Sequence, residues 1–198
     1  MIVFDIGNVL LRWDPRFLYR QIFDDAAAME WFLGHVCTPE WNLDLDRGGT
    51  FGEAVERLIA RHPEWASQIR AFDERWQEMV PHAIAPNVAV LEDLRAAGVP
   101  LYAITNFSAE KYAEALKRFP FLREFRGTVV SAHEGLLKPD PAIYRLFVDR
   151  YGIDAGRCVF LDDSAANVAG AREAGMRAVH VGEETDLRAE LRLLGLAL

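Results

Sequence analysis

Five short apolar runs constrain this chain more than any other feature. Residues 1–6 (MIVFDI), 101–105 (LYAIT), 128–132 (TVVSA), 158–162 (CVFLD) and 177–182 (RAVHVG) are each too short for a helix and carry little polar alternation. Continuous apolar runs of this length suit strands buried on both faces, which is the signature of a parallel sheet. Three of them run straight into a polar group: Asp5, Thr105 and Asp162.

Helical patterns separate the runs. Asn87 is placed to cap a helix carrying Val90, Leu91 and Leu94 and closed by Gly98. Ser108 is placed to cap SAEKYAEALKRF, and Asp140-Pro141 reads as a cap followed by proline at the first helical position. Ile143, Leu146, Phe147 and Tyr151 mark one face of that helix; further helices are expected at 165–174, ended by Gly175, and at 186–195. Alternating strand and helix predict an α/β fold with a doubly wound parallel sheet. Residues 14–83 differ. They show no convincing strand, only helical stretches at 15–23, 25–36, 52–61 and 65–79, rich in Trp and Phe. Pro15 stands at one end of this segment and Pro81 and Pro86 at the other, so it reads as a helical insertion after the first strand. The expected division is a core of residues 1–13 and 84–198 with an inserted domain at 14–83.

In such a sheet, ligands bind beyond the carboxyl ends of the strands. There the sequence places Asp5 followed by Ile6-Gly7-Asn8, then Thr105-Asn106, then Lys138 before the Asp140 cap, then Asp162-Asp163. A carboxylate can attack phosphorus to give an acyl-phosphate, splitting one hard displacement into two. Two anions repel, so a divalent cation is needed, and Asp162 and Asp163 offer the hard oxygen ligands that suit Mg²⁺. Lys138 adds a positive charge where phosphoryl oxygens gather, and Thr105 with the backbone after the second strand can hold a non-bridging oxygen.

FDIGNVL, ITNFS, Lys138 within LKPDPAIY, and FLDDSAANVAGAREAGM resemble, in order, the four motifs of the haloacid dehalogenase-like superfamily. The resemblance implies a Rossmann-like core with a helical cap after motif one. It implies Asp5 as nucleophile, Lys138 as the lysine that steadies it, Thr105 and Asn106 at the phosphate, and Mg²⁺ held by Asp5, Asp162, Asp163 and the carbonyl of Gly7. Ser164 and Asn167 would support that loop. Glycine at position 7 is expected for a tight turn against the ion. It is also a departure, since most phosphatases of the superfamily carry a second Asp there as general acid. The dehalogenases lack that Asp too, but typically lack the paired acids of motif four as well. The DxGNV start and LDLDRGGTFGEAV (43–55) resemble a phosphatase subgroup that includes bacterial sugar-1-phosphate phosphatases. The leading expectation is an enzyme hydrolysing a small phosphomonoester, such as a sugar phosphate or similar metabolite. The alternatives are a metal-independent 2-haloacid dehalogenase and a catalytically weak phosphometabolite-binding or regulatory protein.

Trp13 and Trp41 are candidate pocket walls, although tryptophans in such a segment ordinarily form core. Arg47 and Gly48 read either as a loop reaching over the site or as a turn between two helices. The five histidines show no metal-ligand spacing and read as structural or surface residues. The net charge of −8 and isoelectric point near 5.2 disfavour nucleic-acid or anionic-membrane partners, which need a basic surface. The chain start lacks a basic region before its apolar run, and no run approaches the ~20 residues that span a bilayer. Two distant cysteines, Cys37 and Cys158, argue against a disulfide framework and fit a reducing cytoplasm. The oligomeric state is not fixed by the sequence, and a homodimer stays open.

Overall fold

The computed structural model describes residues 1–196. Its sheet consists of β1 (Ile2–Phe4), β2 (Leu101–Thr105), β3 (Gly127–Val130), β4 (Val159–Asp162) and β5 (Arg177–His180). Between β1 and β2 lie α1 (Arg16–Tyr19), α2 (Ala26–His35), α3 (Pro39–Asp46), α4 (Phe51–Arg61), α5 (Ala66–Glu74), α6 (Trp76–Met79) and α7 (Ala85–Ala96). Then come α8 (Ala109–Arg118) before β3, α9 (Ser131–Glu134) and α10 (Pro141–Tyr151) before β4, α11 (Ala165–Glu173) before β5, and α12 (Leu187–Leu193).

All strand pairs are parallel, in the order β3-β2-β1-β4-β5. Ile2 lies between Leu101 and Val159, and Phe4 between Ala103 and Leu161. After β1 the chain builds outward through β2 and β3, then crosses to β4 and β5 on the other side. The direction therefore reverses between β1 and β4, and connections diverging there leave a crevice at the strands' carboxyl ends.

Strand alternation divides the core in two. Ile2, Phe4, Leu101, Ala103 and Leu161 pack in one cluster with Val90, Leu91 and Leu94 of α7 and Leu187 and Leu191 of α12. Val3, Ile104, Val129 and Phe160 pack with Ile143, Tyr144 and Phe147 of α10. The first cluster continues without a break into the helices that follow β1, reaching Tyr19, Phe32, Trp41, Leu58 and Phe72. Burying each of these large side chains contributes roughly 1.5–3 kcal/mol. Tyr19 keeps its hydroxyl satisfied at the carbonyl of Gln68, 2.9 Å away.

Several elements depart from the pattern the sequence suggests. Asn87 does not cap α7. The helix begins at Ala85, and the buried Asn87 amide donates instead to the Val9 carbonyl at 2.8 Å. Ser108 occupies the N-cap position of α8 but its hydroxyl makes no capping bond. The run expected at 128–132 stops at Val130, because Ser131–Glu134 coil into α9 and Gly135 ends that helix at φ +68°. The stretch 65–79 is two helices, interrupted at Arg75. α3 has no counterpart among the expected helical stretches. Thr38 caps it, accepting the Trp41 N–H at 3.2 Å, with Pro39 in the first turn.

Candidate active site

Asp5 follows β1 directly and its N–H still bonds to the sheet at the Leu161 carbonyl, 2.8 Å away. Its side chain therefore leaves the sheet at the β1/β4 reversal. Lys138 Nζ lies 2.8 Å from Asp5 Oδ1 and 2.6 Å from Asp162 Oδ2, and is itself fully buried. Asn106 clamps the lysine's backbone: Oδ1 accepts the Lys138 N–H at 2.8 Å and Nδ2 donates to its carbonyl at 3.0 Å. Asp162 Oδ1 accepts from the Ser164 N–H at 2.8 Å and from Asn167 Nδ2 at 3.0 Å. Gly170 lets α11 press against the lysine loop; a Cβ there would sit 2.7 Å from the Pro139 carbonyl oxygen. Two strand ends thus meet around a single ammonium, and a third, through Asn106, holds the loop that carries it.

The charges do not balance. Oxygens of Asp5, Asp162 and Asp163 all lie within 4.8 Å of one another, with one lysine among them. Burial, helped by the charges of Asp162 and Asp163, outweighs the attraction of Lys138 and lifts the Asp5 carboxyl to about 7. Burial and Asp162 raise Asp163 as well. Burial alone would lower the Lys138 pKa, but Asp5 and Asp162 override it and hold the ammonium charged. Three carboxylates against one ammonium form a site short of positive charge, built from the hard oxygen donors that suit a small divalent cation. Beside it, Thr105 is wholly buried and its Oγ1 has no hydrogen-bond partner. Buried hydroxyls are rarely left so, and a phosphate oxygen would complete it.

A cavity of about 360 Å³ opens over this cluster, with Asp5, Gly7, Asn106, Lys138 and Asp163 on its floor and Trp13 in its wall. Thr105 and Asp162 are fully buried and do not line the cavity. A larger groove of about 680 Å³ shares Asn8, Trp13 and Asn42 with the cavity but contains none of the four charged residues. Three sequence candidates stand elsewhere. Trp41 packs edge-on against Phe72 at 5.0 Å, inside the helical layer. The Arg47 side chain is more than half exposed and turns to Asp44. Gly48 abuts the Ala132 carbonyl, where its φ of +117° and a 3.1 Å clearance for a Cβ require glycine. At Gly7 a Cβ would meet no protein atom within 4 Å, and its φ is outside the left-handed region. No histidine joins the carboxylate cluster among the described residues.

Two cavity residues take roles that the sequence does not assign. Asn8 adopts φ +50°, a conformation Asn tolerates better than most residues. Its Oδ1 accepts the Trp13 N–H at 3.0 Å, and its side chain also bonds to Asp163. Asp46, at the end of α3, is a buried carboxyl facing the same space. Burial chiefly, with the charge of Asp5, raises it to about 7, against the opposing effects of the Ser108 N–H and Lys138.

Residues 1–175 match the family of haloacid dehalogenase-like hydrolases, and the chain belongs to it. A sesquiterpene phosphatase of Aspergillus oryzae is 27% identical over 194 residues, covering 97% of this chain and 94% of that protein. A phosphoserine phosphatase of Thermus thermophilus is 30% identical over 163 residues, 78% of this chain and 64% of its own length. Among solved structures, a family member from Bacteroides thetaiotaomicron in complex with magnesium and inorganic phosphate superposes with a TM-score of 0.76. It is 21% identical over 96% of this chain and 98% of that one.

Proposed function

We propose that the protein is a Mg²⁺-dependent hydrolase of small phosphomonoesters and that Asp5 carries the phosphoryl group between the two halves of the reaction. The observation that carries this reading is the buried Asp5–Lys138–Asp162 cluster with Asp163 beside it, an arrangement one cation short of neutral. Asp5, Asp162, Asp163 and the Gly7 carbonyl would hold Mg²⁺, which supplies positive charge to a phosphate that carboxylates would otherwise repel. Asp5 attacks phosphorus in line with the departing oxygen, forming an aspartyl-phosphate, and water then cleaves that bond. Lys138 keeps Asp5 aligned and faces the charge gathering on the phosphoryl oxygens. Thr105 donates its unpartnered hydroxyl to one of those oxygens.

Residues 14–83 act in this reading as a cap over a core formed by 1–13 and 84–198. The cap excludes water from the first step and selects the alcohol. The cytoplasm is the proposed location. No helix among the described residues is long and apolar enough to cross a membrane.

Two substrate classes compete. A sugar phosphate is the class suggested by the sequence, and Asn42 in the cavity lining could meet its hydroxyls. The cavity favours an alcohol with an apolar body, because Leu11, Leu43, Phe51, Trp76, Val80 and Phe107 line it. The named activity of the Aspergillus oryzae relative is of that second kind.

Phosphate release from a panel of sugar, amino-acid and prenyl monophosphates tests the reading, with Mg²⁺ or EDTA and with Asp5→Asn as blank. Turnover should need both Mg²⁺ and Asp5. Chloride release from 2-chloropropionate in EDTA would overturn it in favour of a dehalogenase. Silence across the panel with Mg²⁺ bound would overturn it in favour of a binding protein.

A further inference from the structure

Cleavage of an alkyl phosphate expels an alkoxide, which needs a proton as it leaves. Few groups lining the cavity can supply one. Lys138 is committed to two carboxylates. Asp163 belongs to the carboxylate cluster, and position 7 carries no side chain. Asp46 remains. It enters from the helical layer, only 9% exposed, into the cavity that Asp5 enters from the sheet.

Its placement is costly for a carboxylate with a merely structural role. It stands at the C-terminal end of α3, where the helix dipole disfavours an anion. No Lys or Arg pairs with it among the described residues; its contacts are Asn42 Nδ2 at 3.0 Å and the Ser108 N–H. Yet its backbone is firmly held. Ser131 Oγ donates to the Asp46 carbonyl at 2.6 Å and accepts the Phe107 N–H at 2.9 Å, tying the end of α3 to the segments after β2 and β3. The result is a fixed, nearly dry carboxyl group aimed at the reaction space and not neutralised by a cation.

We propose that Asp46 is the general acid of the first step and the general base of the second; this rests on the phosphomonoester reading above. In the first step an Asp5 carboxylate oxygen bonds to phosphorus and the P–O bond to the alcohol breaks. The proton of Asp46 moves to the departing oxygen, leaving alcohol, aspartyl-phosphate and the Asp46 carboxylate. In the second step water attacks phosphorus and Asp46 takes its proton. The bond to Asp5 breaks, releasing hydrogen phosphate and restoring both carboxyl groups. A folded-state pKa near neutrality, caused mainly by burial, lets one group fill both roles.

The test compares an alkyl phosphate with p-nitrophenyl phosphate, whose acidic phenol departs without help. Asp46→Asn keeps the shape and an acceptor for the Ser108 N–H. It should lose about 10²–10⁴-fold in kcat/KM on the alkyl ester and far less in kcat/KM on the aryl ester, whose first step needs no acid, while kcat falls on both because the second step they share loses its base. Equal losses of kcat/KM on both esters, or none on either, overturn the proposal and leave the phosphatase reading standing. Failure of the wild type to hydrolyse either ester with Mg²⁺ overturns both. The unmodified enzyme gives a second readout: kcat/KM should depend only weakly on leaving-group acidity across a series of esters, and a steep dependence overturns the proposal without any variant.

Discussion

Replacing Asp46 by Asn should make the protein more stable at alkaline pH even as it impairs turnover of alkyl esters. The folded carboxyl titrates at about 7 against an ordinary value of 3.8. Between those values the unfolded chain has released the proton and the folded chain still holds it. Wild-type stability therefore falls as pH rises through this window, by up to about 4 kcal/mol for a gap of roughly three units. Asn cannot ionise, so the variant escapes that part of the loss. The charged groups facing position 46 are Asp5, whose charge adds to the shift, and Lys138, whose charge opposes it. Asn42 and Ser108, its hydrogen-bond partners, are uncharged. Urea denaturation of both proteins in EDTA, at several pH values from 4 to 8, isolates the effect as a difference in which other titrations largely cancel. The variant's relative stability should climb by roughly 1–4 kcal/mol across that range. A difference that stays flat, or that falls with pH, would refute the claim that this carboxyl is buried with its proton.

Lys138→Met leaves Asp5 and Asp162 buried without a counter-charge and should cost about 3–5 kcal/mol in EDTA, with part of the loss regained on adding Mg²⁺ and no turnover in either condition. For the wild type, Mg²⁺ at about 100 times its Kd should add roughly 2.7 kcal/mol of stability in thermal denaturation, and Asp162→Asn should largely abolish that gain. Gly170→Ala should destabilise by about 1–3 kcal/mol through overpacking, despite the usual helix preference for alanine, because the new methyl meets the Pro139 carbonyl. Since a side chain at Gly7 meets open space, Gly7→Asp introduced into Asp46→Asn should recover about tenfold or more of the lost alkyl-ester kcat/KM, read by phosphate release.

The sequence exposes the floor of the site but not its roof. Asp5 and Asp162 are legible because buried parallel strands are written as unbroken apolar runs, so the first polar residue of each marks a strand's carboxyl end; Lys138, well past its strand, is legible only through the LKPDPAIY motif. Helix order then forces those ends together. Asp46 has no such marker. It is one of two aspartates in LDLD, where Leu45 is buried and Leu43 is exposed. That alternation hides the i, i+4 face on which Trp41 and Leu45 pack. The Thr38-Pro39 cap signal was present but stood before a segment with weak helical periodicity. Asn87 misleads in the opposite way: it is a good capping residue, but Ala85-Pro86 starts the helix earlier and the Val9 carbonyl claims its amide.

The division of labour between floor and roof has a consequence for timing. The floor is fixed by the sheet, the Asn106 clamp and the Asp162 network. Asp46 is different, because its high pKa comes from burial, which lasts only while α3 lies against the segments after β2 and β3. Were α3 to lift, water would reach the carboxyl and return it toward the ordinary range, where it loses its proton at neutral pH. The same helix and the start of α4 bring Leu43 and Phe51 to the cavity wall, so the surface that meets the alcohol also carries the proton the alcohol needs. On the proposed role of Asp46, the donor would work only while the cavity is closed on a substrate that fits. The absence of an acid at Gly7 then ties leaving-group protonation to substrate selection.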